Sequence, residues 1–194
     1  ENVPSLSHPR NRALLDSFIK RADSARYEVL FLKVNAAEYG VPQRRHRIVI
    51  LGIKRGKPIA PCPTHSLTGA VSRRLPAVTA GEALEPFRDA RYCEAEEVVR
   101  GRWAQHLREV PPGENYKALT AWAGHPKPVF EAETRFWHFL LKLSPDLPSW
   151  TVPANPGPWV GPFHWDSRRL RTPELAALQS FPEDYIFSGS RRER

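Results

Sequence analysis

Methionine is absent from this sequence of 194 residues, and cysteine occurs only twice, as Cys62 and Cys93. Two cysteines are too few for a disulfide framework, and Cys62 with His65 lacks the second pair of ligands that would complete a zinc site. These features favour a protein of the reducing cytoplasm. The lack of methionine even at position 1 indicates either a removed initiator or a chain that begins inside a longer gene product.

Long apolar runs are missing as well. No stretch of about eighteen consecutive apolar residues occurs, and no basic region followed by an apolar one stands at the start, so the sequence predicts neither a membrane span nor a signal peptide. With 41% hydrophobic and 10% aromatic residues, the chain can still bury a core. Its length allows one large domain or two small ones.

Acidic residues are fewer than basic ones, and the formal net charge is +8. Residues 1–54 contain ten Lys and Arg against five Asp and Glu, whereas residues 55–165 contain thirteen against eleven. A basic excess indicates a polyanionic partner such as nucleic acid, since neutralised phosphates supply much of the affinity. The excess lies mostly in the first third of the chain, where Arg44, Arg45 and Arg47 stand close together.

Hydrophobic spacing predicts the first elements. Residues 10–22, "RNRALLDSFIKRA", place apolar side chains four apart, which is typical of an amphipathic helix. "YEVLFLKV" at 27–34 and "RIVILGI" at 47–53 predict two strands, the second of them buried on both faces. A helix followed by two strands predicts a terminal piece of an α/β sheet.

Proline and glycine become frequent after residue 54, and residues 55 to about 166 are predicted to form an irregular, loop-rich domain. One helix is predicted at 131–143 from its apolar spacing. Another is predicted to start with Thr172 as its N-cap and to stop at Phe181-Pro182. The six tryptophans are predicted to be core residues of this domain: Trp103, Trp122, Trp137, Trp150, Trp159 and Trp165.

Three sequence blocks carry a family resemblance: "ENV" at 1–3, "NAAEYGVPQRRHRIVILG" at 35–52 and "RRLRTPELAALQSFPEDYIF" at 168–187. In this order they resemble blocks of the DNA cytosine-5 methyltransferases. The resemblance implies the terminal part of a Rossmann-like methyltransferase sheet at 1–54. It implies a loop-rich target recognition domain at 55–194, with the block at 168–187 as a late helix block.

The resemblance also implies roles for residues of the first two blocks. Methylation at C5 of cytosine requires nucleophilic attack at C6 of a base that has been flipped out of the duplex. Glu1 matches the glutamate that bonds N3 and the exocyclic amino group, and Arg47 matches the arginine that bonds O2, where negative charge grows. Asn2, Gln43 and Arg45 match supporting positions.

Other residues are expected to contact DNA or to stabilise the recognition domain. The expected DNA contacts are cations: Arg44, Arg73, Arg74, Arg100, Arg102 and Lys117. For Arg44 we favour the alternative, a solvated loop charge. In the late block, Arg169 and Glu174 are expected as structural polar contacts. His65, His125 and His164 are expected to be polar loop residues, and no metal site is predicted.

Several blocks of the family do not occur in this sequence. They are the Phe-x-Gly-x-Gly loop of the methyl-donor site, the Pro-Cys-Gln block of the nucleophile and a final Gly-Asn-x-Val-Pro block. Cys62 follows Pro61 but stands after both early blocks, so we interpret it as a structural or incidental thiol. S-adenosylmethionine is therefore expected to be the cofactor of the complete enzyme, with most of its site outside this chain.

The resulting hypothesis is a portion of a bacterial DNA cytosine-5 methyltransferase, cytoplasmic and nucleoid-associated, that is inactive by itself. Its expected partners are double-stranded DNA and the missing N-terminal catalytic portion, either in the same polypeptide or as a separate chain. A noncatalytic DNA-binding module and the DNA-recognition subunit of a split methyltransferase stay open as alternatives. Retention of Glu1 and Arg47 argues against a pure DNA reader, because such a module needs neither residue.

Overall fold

The structure is a computed structural model, and it describes residues 1–69, 73–154 and 156–189. Its contacts group the chain into two units, which we call the first unit (Glu1–Gly40 with Arg44–Pro76) and the second unit (Val41–Gln43 with Ala77–Arg194). The division of the chain into functional domains after residue 54 stays a prediction.

The first unit contains the predicted helix and both predicted strands. Helix α1 spans Arg12–Ser24, and strands β1 (Glu28–Asn35) and β3 (His46–Ile53) pair antiparallel over their whole length, from Glu28 opposite Ile53 to Asn35 opposite His46. A short strand, β2 (Gln43–Arg44), precedes β3. The helix and the two strands are thus confirmed.

The two faces of this hairpin are less covered than the apolar sequence predicts. In β3 only Ile48 is fully buried, and α1 contains no fully buried residue. The prediction that residues 47–53 are buried on both faces is therefore wrong for this chain. One helix and two long strands cannot form the packed layers that such a strand needs.

The loop between β1 and β3 leads into the segment that contains Arg45 and Arg47. Its 3-10 turn Ala36–Tyr39 ends at Gly40, whose φ of +88° is a left-handed conformation that favours glycine. The Ala36 N–H donates to the Arg45 carbonyl at 2.9 Å, which closes the loop just before β3. Beyond β3, the short strands β4 (His65–Ser66) and β5 (Leu75–Pro76) pair in parallel.

The second unit consists mostly of ordered loops with short elements: α2 (Ala80–Leu84), α3 (Ala104–Glu109), β6 (Ser149–Trp150) and α4 (Thr172–Ala177). It contains two apolar clusters. The aromatic cluster includes buried Leu107, Tyr116, Leu119, Phe130, Phe139, Leu140 and Phe163. The aliphatic cluster includes Ala80, Leu84, Leu143, Leu170 and Leu178. The predicted class, a mixed α/β and loop-rich chain, is confirmed.

The helix predicted at 131–143 is wrong. The segment forms turns, with Leu140 at a φ of +53°. Its backbone bonds to other segments, since the N–H of Leu140 donates to the Trp159 carbonyl at 3.0 Å and that of Leu143 to the Phe163 carbonyl at 2.8 Å. The apolar spacing here reflects packing into the aromatic cluster and not a helical face.

The late helix is confirmed, but its ends differ from the prediction. Thr172 is its first residue and Arg171 is its N-cap, because the Arg171 N–H donates to the Glu174 carboxylate at 2.8 Å. Helix α4 ends at Ala177, and Ser180 at a φ of +60° lies before Phe181-Pro182. The helix thus ends four residues before Phe181, although Pro182 alone would have allowed it to continue further.

The tryptophans are not uniformly core residues. Trp103 and Trp159 are partly buried and pack against the aromatic cluster, and Trp165 packs against the aliphatic one. The prediction is wrong for Trp122, which is 79% exposed, and for Trp137, which is 46% exposed.

Candidate functional site

An acidic side chain and two arginines of the early blocks meet in the first unit. Asn2 and Ile48 exchange backbone hydrogen bonds of 2.8 Å, which fixes residue 1 beside β3. The Glu1 carboxylate lies 2.8 Å from Arg47 Nε and 3.8 Å from an Nη of Arg45. The structure therefore brings Glu1, Asn2, Arg45 and Arg47 together.

The ion pair leaves polar atoms for a ligand. Arg47 Nη1 donates to the His46 carbonyl at 2.7 Å, whereas Nη2 makes no hydrogen bond to any residue that the structure describes. The Glu1 side chain is 57% exposed and that of Arg47 is 18% exposed. A carboxylate oxygen accepts and a guanidinium N–H donates, so this pair can bind a planar edge that carries a donor beside acceptors.

The supporting residues have local roles. The Asn2 side-chain oxygen accepts from the Val3 N–H at 2.8 Å, which orders the first block. Gln43 belongs to the second unit, is almost fully buried, and donates from Nε2 to the Leu178 carbonyl at 3.3 Å. Gln43 is thus a packing residue in this structure, and its supporting role in the site stays a prediction.

The cations predicted to contact DNA are spread over both units. Arg73 and Arg74 are exposed in the first unit, and Arg100 and Arg102 are exposed in the second. Lys117 is half-buried in a 3-10 turn, and Arg44 is half-buried as well. Contact of these six residues with DNA stays a prediction.

The late block contains a buried ionic network. Glu174 is 1% exposed, and both of its oxygens accept from Arg168, at 2.6 and 2.7 Å. Arg171 donates from Nε to Glu97 at 2.6 Å and from an Nη to the Phe87 carbonyl at 2.7 Å. The second predicted contact, Arg169, donates to the Pro158 carbonyl at 2.6 Å.

The network shifts the titration of its members. Burial acts to raise the pKa of the Glu97 carboxyl, but the hydrogen bond from Arg171 and the charges of Arg171 and Arg168 prevail, so this pKa lies below its ordinary value. The bond to Glu97 raises the pKa of Arg171. Sequence reasoning missed Arg168, Arg171 and Glu97, although three arginines just before Pro173-Glu174 could have indicated a carboxylate pair.

His164 is a buried neutral imidazole. Burial, together with the charges of Arg168, Arg171 and Arg88, lowers the pKa of His164 to about 3. Its Nδ1 lies 3.3 Å from the Asp166 carboxylate, but it also accepts the Asp166 N–H at 3.1 Å. We assign the neutral form, since a ring nitrogen that accepts a hydrogen bond carries no proton.

The other residues singled out in the sequence are at the surface or in turns. Cys62 is exposed, and the His65 Nδ1 lies 2.9 Å from the Thr64 hydroxyl. His125 lies in a loop beside the Lys127 carbonyl. Among the described residues, no group of three His, Cys, Asp or Glu side chains is arranged to hold a metal ion.

Comparison with known proteins identifies the family. The profile of the C-5 cytosine-specific DNA methylases matches residues 1–194. This chain therefore belongs to the C-5 cytosine-specific DNA methylase family.

Individual relatives agree with this assignment. The chain is 39% identical over 209 residues to the type II methyltransferase M.SacI of Streptomyces achromogenes, covering 100% of this chain and 53% of that protein. It is 33% identical over 163 residues to the type II methyltransferase M.BbvI of Brevibacillus brevis, covering 79% of this chain and 40% of that protein. The chain thus spans about half the length of the curated relatives it matches.

A solved structure also overlaps the chain. It is described as a DNA modification methyltransferase encoded within an E. coli prophage, with 18% identity and a TM-score of 0.49, covering 94% of this chain and 58% of that one. The family assignment rests on the sequence matches. No helix in the described residues is long and apolar enough to cross a membrane.

Proposed function

We propose that this chain is the part of a DNA cytosine-5 methyltransferase that holds the flipped cytosine and recognises the DNA target. In this proposal the complete enzyme transfers a methyl group from S-adenosylmethionine to C5 of cytosine. The observation that carries the proposal is the ion pair between Glu1 and Arg47 at 2.8 Å, near the start of strand β3.

The chemistry of the pair suits a cytosine. Its Watson–Crick edge offers an amino donor, the N3 acceptor and the O2 acceptor in a row. The Glu1 carboxylate can accept from the amino group and share a proton with N3, and Arg47 Nη2 can donate to O2. Attack at C6 places negative charge on O2 and N3, so both contacts strengthen as the reaction proceeds.

Two cavities of the described residues do not suit S-adenosylmethionine. The groove beside α1 is lined mainly by apolar side chains, and its one charged group, Arg21, would repel the positive sulfonium. The second cavity, lined by Phe87, Glu94 and Tyr185 among others, encloses about 180 Å³, less than ligand sites of roughly 300 Å³ or more. We therefore assign no step of methyl-donor binding to this chain.

We also propose that the other half of the enzyme docks on the first unit, in the same polypeptide or as a separate chain. Leu14, Phe18 and Ile19 of α1 are exposed, and a groove of about 620 Å³ runs between α1 and the face of the β1–β3 hairpin. Apolar surface of this kind marks an interaction site. The segments present in relatives of about twice this length are the proposed occupant.

The test of cytosine holding compares methyl transfer with DNA binding. The proteins are Arg47→Ala and Glu1→Gln, each combined with a polypeptide that carries the Phe-x-Gly-x-Gly and Pro-Cys-Gln blocks. Arg47→Ala removes a transition-state hydrogen-bond donor and should lower methyl transfer roughly a hundred-fold. Glu1→Gln should lower it as well, because the amide cannot share a proton with N3, while duplex binding should fall much less in both variants. Lys33→Ala, an exposed cation on β1 of the same hairpin, is the matched control and should change neither quantity.

Equal losses of methyl transfer and DNA binding in the Arg47 variant would contradict a base-holding role. They would instead support Arg47 as a phosphate contact, which a noncatalytic DNA-binding module could also use. The same comparison therefore separates the proposal from its main alternative.

A further inference from the structure

Trp122 exposes 79% of its surface, although tryptophan is among the side chains that gain most from burial. It lies in the 3-10 turn Ala121–Ala123 of the second unit, which is followed by Gly124 at a φ of +75°. The sequence alone predicts that Trp122 is a core residue. Its position at the surface therefore needs a physical explanation.

Hydrogen bonds on both sides of Trp122 fix the backbone of its turn, and this backbone places the indole at the surface. The Thr120 hydroxyl donates to the Lys117 carbonyl at 2.7 Å, and the His125 N–H donates to the Thr120 carbonyl at 3.1 Å. On either side of the turn, Leu119 and Phe130 are buried in the aromatic cluster. The turn thus projects Trp122 from a well-packed base.

Two guanidinium groups lie on the same aromatic cluster. The Arg102 guanidinium lies 4.4 Å from the Trp103 ring centre, and the Trp103 ring lies 5.2 Å from that of Phe130, beside the turn. The Arg135 guanidinium lies 5.7 Å from the ring centre of Phe139, whose ring is 5.5 Å from that of Phe130. Both arginines are exposed, and neither forms an ion pair within the part of the chain that the structure describes.

The segment that contains the turn is also cationic. Residues 117–127 include Lys117, Lys127 and His125 but no acidic residue. Lys127 is exposed, and neither lysine has a carboxylate partner among the described residues. An exposed indole on the same unit as these exposed cations matches a partner that combines flat apolar rings with regularly spaced anions.

We propose that the Trp122 surface, which we define as Trp122 with Arg102, Lys117, Lys127 and Arg135, packs on duplex DNA. The indole contacts a base or sugar, and the four cations contact phosphates. Protein–DNA interfaces use this combination, since apolar side chains contact base edges in the grooves while Lys and Arg neutralise the phosphates. The inference rests on the proposed function of this chain in DNA recognition, and it adds the residue that makes the apolar contact.

The experiment measures binding of the 194-residue chain to a fluorescently labelled mixed-sequence duplex by anisotropy, over a range of salt concentrations. Trp122→Ala should weaken binding roughly ten-fold or more, because an interface loses a large aromatic anchor. Trp122→Phe should retain most of the affinity. Ile59→Ala, which also removes a highly exposed apolar side chain but from the first unit, is the matched control and should bind like the wild type.

The salt dependence provides a second readout. Trp122 carries no charge, so Trp122→Ala should leave the slope of log Kd against log salt unchanged. Lys127→Ala should reduce that slope by about one. Because Trp122 is so exposed, its replacement should not change the melting temperature; if Trp122→Ala does not fold, Trp122→Phe and Lys127→Ala decide the question.

The outcomes separate this inference from the proposed function. A wild-type chain that does not bind duplex DNA would overturn both. Tight binding by the wild type and equal binding by Trp122→Ala would overturn only the Trp122 surface and leave DNA recognition to other residues. Selective loss in Trp122→Ala with an unchanged salt slope supports the inference.

Discussion

Glu174 shows how single residues organise the late block. Its carboxylate is buried, yet it accepts from both nitrogens of one Arg168 fork and from the Arg171 backbone. Removing one partner of a buried ion pair leaves an uncompensated charge, which typically costs about 3–5 kcal/mol. Arg168 and Glu174 are therefore expected to stabilise the late block only as a pair.

His164 predicts a pH dependence of stability at the residue scale. An unfolded histidine has a pKa near 6.5, whereas burial lowers the pKa of His164 to about 3. Between these values the unfolded chain binds a proton that the folded chain does not, so the free energy of unfolding should fall as pH decreases from 6.5 towards 3. The loss should reach roughly 3 kcal/mol at pH 4.

The measurement is urea unfolding at several pH values, with His164→Asn as the comparison. Asparagine keeps an acceptor for the Asp166 N–H but does not titrate in this range. Its unfolding free energy should change much less between pH 6.5 and 4.5; a small remainder belongs to His138, whose pKa is also lowered by burial. Identical pH profiles for both proteins would contradict the assignment of His164 as a buried neutral base.

Glu97 adds a separate, more acidic contribution. Its pKa lies below the ordinary value, so its stabilising effect is present above about pH 4.3, the usual pKa of a glutamate, and is lost as the pH falls further. His164 therefore affects stability between pH 6.5 and 3, whereas Glu97 affects it only below about pH 4.3. A fall in stability that starts only below pH 4.3 would implicate Glu97 and not His164.

At the scale of elements, the loop between β1 and β3 positions the catalytic candidates. A Cβ atom on Gly40 would lie 2.9 Å from Cε1 of His65, and the left-handed φ adds backbone strain. Gly40→Ala should therefore lower the free energy of unfolding by about 1–2 kcal/mol. Gly56→Ala, at a similar φ of +90° but with only ordinary contacts, is the control for the strain alone.

Thermal or urea unfolding of four proteins checks this prediction: the two glycine variants, His65→Ala and the Gly40→Ala/His65→Ala double variant. Removing the His65 ring should restore part of the loss in Gly40→Ala. If Gly40→Ala is no less stable than Gly56→Ala, the contact with His65 does not constrain the loop.

Helix α1 is the element expected to bind the other half of the enzyme. Phe18→Ser replaces an exposed side chain, so it should leave the stability of this chain almost unchanged. It should nevertheless raise the concentration of the complementary polypeptide needed for half-maximal methyl transfer. Lys20→Ser on the same helix should not, and equal behaviour of the two variants would contradict docking on the apolar face of α1.

The elements also show what sequence reasoning can and cannot reach. Helix α1 was predictable from its local apolar period, and strands β1 and β3 from their short runs of apolar, strand-forming residues. The turns at 131–143 were not, because Leu140 and Leu143 bond to residues about twenty positions along the chain. The proximity of Glu1 to Arg47 required the family resemblance, since the Asn2–Ile48 contact joins distant residues, and Trp122 was missed because composition does not report exposure.

At the scale of the whole molecule, the excess of positive charge predicts salt-sensitive DNA binding. The net charge is +8, and each neutralised phosphate contributes about 0.9 to the slope of log Kd against log salt. Raising the salt from 50 to 200 mM should therefore weaken duplex binding steeply. Equilibrium titrations at four or more salt concentrations measure the slope, and a flat response would exclude phosphate contacts as the main source of affinity.

The most direct test of the proposed function is radiolabelled methyl transfer from S-adenosylmethionine to mixed-sequence duplex DNA. Three samples are compared: this chain, the polypeptide that carries the Phe-x-Gly-x-Gly and Pro-Cys-Gln blocks, and their mixture. We predict label in the DNA only with the mixture, and loss of that label in the mixture made with Arg47→Ala. Activity of this chain alone, or an inactive mixture whose components bind each other and DNA, would contradict the account.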